Sequence, residues 1–243
     1  MAATKNVTLN VFRFNPDVDS RPRYDTFSLE ARPGMTVLEA MFEVLESLDG
    51  SLAFRYCCRG AVCGACAMYI NGAHRLACKT QLDLVGPTVT VSPLPFMRVI
   101  KDLVVDMSPF WANYEKVMPY LIERSQAPGG ERIQSPRQRA VFDDATCCIL
   151  CGSCYSSCPS VWTGGGQFLG PSALNKAWRF IADSRDGGAA QRLAVVASEN
   201  GLWRCHTAFN CTEACPKNTN PTQAIQKLKG RAVLHALTGR GRG

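Results

Sequence analysis

The sequence predicts an α+β protein in two parts, a strand-rich domain over residues 1–98 and a mainly helical domain over 99–243. Three observations carry this prediction. Apolar residues before Pro95 alternate with polar ones around a single helical stretch. Beyond Pro95 they recur at helical spacing in segments cut by Pro and Gly. The 13 cysteines fall into three runs, one in the first part and two in the second. A length of 243 residues suits one or two domains at ~150 residues each.

In the first part, residues 7–14 alternate Val7, Leu9 and Val11 with polar partners and read as a strand, and 24–31 read as a second. Thr36 and Glu39 form a capping box, and Val37, Leu38, Met41, Leu45 and Leu48 make 37–48 an amphipathic helix. A cysteine-rich loop occupies 57–66. Ala67–Ile70, Asn71-Gly72 and Ala73–Cys78 read as a hairpin with a type I′ turn, and 88–92 as a last strand. This order describes a compact ferredoxin-like unit ending near Pro95.

In the second part, 97–107 and 111–124 read as helices and 125–139 as a polar linker. Cysteines return at 147–158. Gly164–Gly166 reads as a loop. Pro171 opens a helix over 172–183, another spans 189–199, cysteines recur at 205–215, and Pro221 precedes a basic helix over 222–236 with a frayed tail.

Composition narrows the function classes. With 46% hydrophobic and 19% charged residues, the chain has the material for a core. No apolar stretch approaches the roughly 20 residues of a membrane span. The N-terminus lacks the pattern of a secretory signal, so the thiols are expected to stay reduced. An odd cysteine count also fits disulfides poorly, so metal ligation is the better reading.

The first run, Cys58-x4-Cys63-x2-Cys66-x11-Cys78, has the plant-type spacing for a [2Fe–2S] cluster. Gly60 and Gly64 let backbone amides approach the sulfurs. Zinc is the alternative, although zinc sites usually use paired short knuckles. The second run, Cys148-x2-Cys151-x2-Cys154-x3-Cys158-Pro159, has the bacterial spacing in which the fourth cysteine ligates a second cluster. Its partner run is Cys205, Ala208, Cys211 and Cys215, with alanine at the second ligand position.

Crossing the fourth ligands assigns Cys148, Cys151, Cys154 and Cys215 to a [4Fe–4S] cluster. Cys158, Cys205 and Cys211 then remain for the other. Three thiolates suit a [3Fe–4S] cluster, and a solvent-ligated [4Fe–4S] cluster is the alternative. Cys57 and Cys147 are left over, either as small buried residues or as substitute ligands. No dinucleotide fingerprint or P-loop is present, and three clusters make a relay for single electrons without a bond-making site.

The formal charge of +7 is largely offset by about −6 from three oxidised clusters with their thiolates, so it is not a nucleic-acid signature. The stretch with Lys217, Lys227, Lys229, Arg231, Arg240 and Arg242 stays basic, which suits either an anionic membrane surface or a solvated helix face.

The first cysteine run, CCILCGSCYSSCPS, GPSALNKAWRFIADSRD and LWRCHTAFNCTEACPKNTNPTQAI together resemble the iron–sulfur subunit of succinate dehydrogenase and fumarate reductase over nearly the whole chain. The alanine at 208 belongs to that pattern. The resemblance implies an N-terminal β-grasp domain of plant-ferredoxin type and a helical domain of bacterial dicluster-ferredoxin type. It implies a flavoprotein partner carrying FAD, membrane anchor subunits that in many members hold haem b, and a quinone at the anchor. It places the chain peripherally on the cytoplasmic face of a bacterial plasma membrane. Electrons would pass from FAD through [2Fe–2S], [4Fe–4S] and [3Fe–4S] to quinone, or in reverse in a fumarate reductase.

Pro159, Ser160 and Trp162 match the family's quinone-proximal stretch, but Thr163 stands where ubiquinone-reducing members commonly carry a second tryptophan, which leaves menaquinone open. His206 matches a histidine of many succinate-oxidising members; a surface histidine is the alternative. His74 and His235 read as surface residues, and Trp111, Trp178 and Trp203 as packing. Other classes are a free electron carrier, an iron–sulfur subunit of a different dehydrogenase, and a zinc-stabilised binding protein.

Overall fold

The computed structural model describes residues 5–123 and 130–238, which divide into two compact units, 5–107 with 149–156, and 108–123 with 130–148 and 157–238. The expected linker lies partly, and Arg240 and Arg242 wholly, outside the described residues.

The first unit is built on a five-stranded mixed sheet. Its strands are β1 (Lys5–Arg13), β2 (Arg23–Ala31), β3 (Ala67–Ile70), β4 (Ala73–Leu76) and β5 (Thr88–Ser92), in the order β2-β1-β5-β3-β4. β1 runs antiparallel to β2, with Leu9 opposite Phe27, and parallel to β5, with Val11 opposite Val91. Alternate residues Leu9, Val11, Val89 and Val91 are fully buried. Helix α1 (Val37–Glu43) adds Val37 and Met41 to the core, each side chain contributing about 1.5–3 kcal/mol. The Thr36–Glu39 capping box is present. The expected helix over 37–48 changes character at Val44: the last five residues form a π-turn closed by the Asp49 N–H on the Val44 carbonyl.

The β3–β4 hairpin turns through Asn71 and Gly72, both at positive φ as a type I′ turn demands. The Asn71 side chain donates to Val85 and accepts from the Thr90 N–H, tying the turn to the edge of β5.

Residues 97–107 are not the expected helix. They form a small antiparallel hairpin, β6 (Val99–Lys101) and β7 (Val104–Val105). Asp102 at its turn is left-handed, and its buried carboxylate accepts from Arg13 and from the Phe14 and Ala53 N–H groups. Those bonds reach residues distant in sequence, so helical periodicity is a misleading guide here.

The second unit holds α2 (Ser108–Lys116), α3 (Pro171–Ile181), α4 (Ala189–Val196) and α5 (Pro221–Thr238), with one-turn helices between them. α3 packs on α5, α4 and α2, and Leu174, Ala177, Trp178, Ile225 and Leu228 are buried among them. The helix expected over 111–124 stops at Lys116. Met118 is left-handed before Pro119, and the carbonyls of Val117, Met118 and Tyr120 turn toward the buried Arg192 guanidinium, which also pairs with Asp186. Pro136–Ala140, expected within the linker, forms a capped helical turn on Ser135. Among the described residues, no helix is long and apolar enough to cross a membrane.

Candidate metal centre

The first cysteine run forms an irregular loop between the π-turn and β3. Arg59 and Ala61 adopt positive φ, curling the backbone so that its N–H groups face sulfur. The Cys58 thiol accepts from the N–H groups of Cys63 at 3.3 Å, Gly60 at 3.4 Å and Val62 at 3.3 Å. These donors, the Cys63 N–H foremost, lower Cys58 to about 6. The Cys63 sulfur accepts from the N–H groups of Cys58 and Ala65, both at 3.5 Å. Cys66 is buried; that burial, opposed by the Cys78 N–H and reinforced by the nearby Cys78 thiol, pushes its thiol up to about 12. Cys78 reaches this position because the Ala77 N–H bonds to the Cys66 carbonyl at the base of the hairpin.

A cradle of backbone donors around anionic sulfur is the environment that iron–sulfur clusters require. Among the described residues no three ligating side chains converge as a single metal ion demands. In a [2Fe–2S] cluster four thiolates are shared between two irons, two at each.

Within the first unit, residues 149–156 carry Cys151 and Cys154, both half-buried. Leu150 and Gly152 sit at positive φ, and a one-turn helix follows at Ser153–Ser156. The Ser156 hydroxyl donates to the Pro95 carbonyl at 2.8 Å and lies 3.1 Å from His74 Nε2. His74 is therefore not the surface residue expected from sequence: it is half-buried, and burial lowers it to about 4.

In the second unit, the Cys148 carbonyl accepts from Lys176 Nζ at 3.3 Å, and the Cys215 sulfur lies 3.0 Å from the Thr219 hydroxyl. Beside Lys176 on α3, Asn175 is buried with neither amide atom partnered. Leaving such a group unbonded costs about 1–3 kcal/mol, which a bound group from outside the polypeptide would offset.

Cys158, Cys205 and Cys211 border one cavity, and Ala208 lines it with them. Burial raises Cys158, opposed by the N–H groups of Val161 and Ser160 at the start of the helical turn Pro159–Trp162. Burial also raises Cys211, opposed by the Thr222 and Thr212 hydroxyls. Thr207 and Phe209 are left-handed, which wraps the chain around this cavity. Pro159, Ser160 and His206 line it; Trp162 is not among its lining residues and is 37% exposed.

Several contacts carry no signal in the sequence. The hydroxyls of Thr219 and Thr222 are set by α5 and the loop before it, and the periodicity of a helix does not reveal which threonine meets a sulfur. Cys57 and Cys147, expected to be small buried residues or substitute ligands, are exposed. Cys57 lies beside Cys63, whose charge pushes its thiol up.

Comparison with known proteins gives a consistent answer. Residues 8–112 match the 2Fe-2S iron-sulfur cluster binding domain family, and residues 140–216 match the 4Fe-4S dicluster domain family. The chain is 41% identical over 232 residues to the succinate dehydrogenase iron-sulfur subunit of Paracoccus denitrificans, covering 95% of this chain and 90% of that protein. It is 43% identical over 235 residues to the protein of the same name from Coxiella burnetii (strain RSA 493 / Nine Mile phase I), covering 96% and 100%. Among solved structures it is similar to a chain of the Mycobacterium smegmatis Sdh1 complex in the apo form, with TM-score 0.87 and 25% identity over 99% of this chain and 100% of that one. A strand-rich [2Fe–2S] domain followed by a helical dicluster domain, with near full-length identity of this degree, makes the chain a member of the succinate dehydrogenase iron–sulfur subunit family.

Proposed function

We propose that this chain is the electron relay of a membrane-bound succinate:quinone oxidoreductase, carrying electrons from the FAD of a flavoprotein subunit to a quinone at the membrane anchor. The domain over 1–98 holds [2Fe–2S] on Cys58, Cys63, Cys66 and Cys78. Cys148, Cys151, Cys154 and Cys215 hold [4Fe–4S], and Cys158, Cys205 and Cys211 of the second unit hold [3Fe–4S]. When bound, such clusters take up and release single electrons without making bonds. The polypeptide's part is to supply thiolates, direct N–H and O–H donors at them, and restrict water around the buried ones.

The observation that carries this reading is the cavity shared by Cys158, Cys205, Cys211 and Ala208. Its three thiolates and one methyl suit a three-iron cluster, because the methyl cannot ligate a fourth iron. Pro159, Ser160 and His206 border the same cavity, and with Trp162 on the adjoining turn they are the residues to test for quinone contact. His206 is the candidate hydrogen-bond donor to a quinone oxygen or to a haem b propionate of the anchor. The relatives' names support succinate oxidation over the reverse, fumarate-reducing direction. A peripheral position on the cytoplasmic face is in keeping with the basic residues Lys227, Lys229 and Arg231 of α5.

Low-temperature EPR of the purified complex tests the assignment. A three-iron signal in the oxidised state and a [2Fe–2S] signal on reduction are expected. A complex with no oxidised signal and without acid-labile sulfide overturns it.

A further inference from the structure

Gly64 lies between Cys63 and Cys66 with φ +74. A Cβ placed there would stand 2.8 Å from the Cys151 Cβ, 3.0 Å from the Cys151 Cα and 3.0 Å from the Ile149 carbonyl oxygen. None of these atoms is the free end of a flexible side chain, so only hydrogen fits in the gap. The backbone of the first cysteine loop therefore touches the second cysteine run directly at Cys151. Two further contacts hold residues 149–156 in this position. The Ser156 hydroxyl bonds to the Pro95 carbonyl and to His74, and Gly152 seats against Met107 and Leu94.

We propose that Gly64 is the positioning residue for electron passage between the first and second clusters. Resting on the ligand assignment above, the route runs from the Cys63–Gly64 backbone across one van der Waals contact to Cys151. One electron moves and no bond forms or breaks. Tunnelling weakens steeply with the width of a gap, so the missing Cβ shortens the least conductive part of the route. His74 and Ser156 assist by keeping residues 149–156 against that loop.

The test is Gly64→Ala in the whole complex, read by microwave power saturation of the reduced [2Fe–2S] EPR signal. A nearby reduced second cluster speeds the relaxation of the first, so a wider gap is expected to lower the half-saturation power several-fold, with succinate-to-quinone turnover falling alongside. Gly34→Ala is the control. Gly34 has φ +76 and nothing within 4 Å, so this variant carries the same backbone strain without the contact, and its relaxation is expected to equal that of wild type.

Unchanged relaxation in a Gly64→Ala complex with full iron and sulfide overturns the proposal, as does an equal loss in Gly34→Ala. Should Gly64→Ala not load its first cluster, Ser156→Ala, which adds no atom, decides: a smaller loss in the same direction supports the proposal, and wild-type relaxation overturns it. A wild-type complex lacking the cluster signals altogether would instead contradict the cluster reading itself.

Discussion

The Thr222 hydroxyl lies 3.3 Å from the sulfur of Cys211, joining α5 to a thiol that is buried from solvent. Hydrogen bonds to a cluster's thiolate stabilise the more negative, reduced state and so raise the potential. Removing the hydroxyl with Thr222→Val is expected to lower the potential of the cluster proposed on Cys158, Cys205 and Cys211. A bond worth about 1 kcal/mol more to the reduced state corresponds to roughly 40 mV for one electron. A redox titration followed by EPR measures it, and a potential equal to wild type would rule this bond out as a tuning contact.

Ala208→Cys tests the three-thiolate reading from the opposite side. Ala208 lines the cavity of Cys158, Cys205 and Cys211, so a thiol there is expected to complete a four-iron site and remove the oxidised three-iron EPR signal. The potential should fall and quinone reduction slow. A persisting oxidised signal would contradict the assignment of these three cysteines to one cluster.

Arg13 and Asp102 form a buried ion pair at 3.1 Å in the first unit. Arg13 also binds Asp49, Asp25 and the Ser51 hydroxyl, so one guanidinium joins the end of β1 to three other chain segments. Asp102→Ala leaves that cation short of a partner and orphans the Phe14 and Ala53 N–H groups. A loss of about 3–5 kcal/mol in urea unfolding of this unit is expected. A loss below about 1 kcal/mol would mean that the remaining carboxylates compensate.

Asp183 gives the acid dependence of the second unit. Burial pushes its carboxyl up, but hydrogen bonds from Arg185 and Arg179 outweigh that and bring it to about 2. A carboxyl depressed in the folded state adds stability that is complete above its unfolded value, near 4, and is lost as pH falls toward 2. Wild type is therefore expected to lose more stability than Asp183→Asn between about pH 4 and pH 2. Parallel acid-unfolding curves for the two proteins would remove Asp183 from the account.

Much of this protein is legible in the spacing of its residues. Cysteine spacing is a local property: the x4 and x2 intervals of the first run are those of a loop that curls around sulfur, and Arg59 and Ala61 at positive φ do the curling. Strand alternation in 7–11 and the Thr36–Glu39 box likewise depend only on near neighbours, and both stand at the positions their sequence patterns indicate. The failures fall where distant residues intervene. Residues 97–107 form a hairpin because Asp102 is held by Arg13, and the helix expected over 111–124 ends early because Arg192 takes the carbonyls that would have continued it.

By itself the sequence determined that the cysteines fall into three runs, that alanine stands at 208, and that a strand-rich part precedes a mainly helical one, since each is set by spacing along the chain. Only the tertiary structure decided which hydroxyls and amides face those sulfurs, that His74 is half-buried beside Ser156, and that Gly64 meets Cys151. Such contacts join residues that are far apart in sequence, and burial and close approach have no counterpart in a one-dimensional pattern.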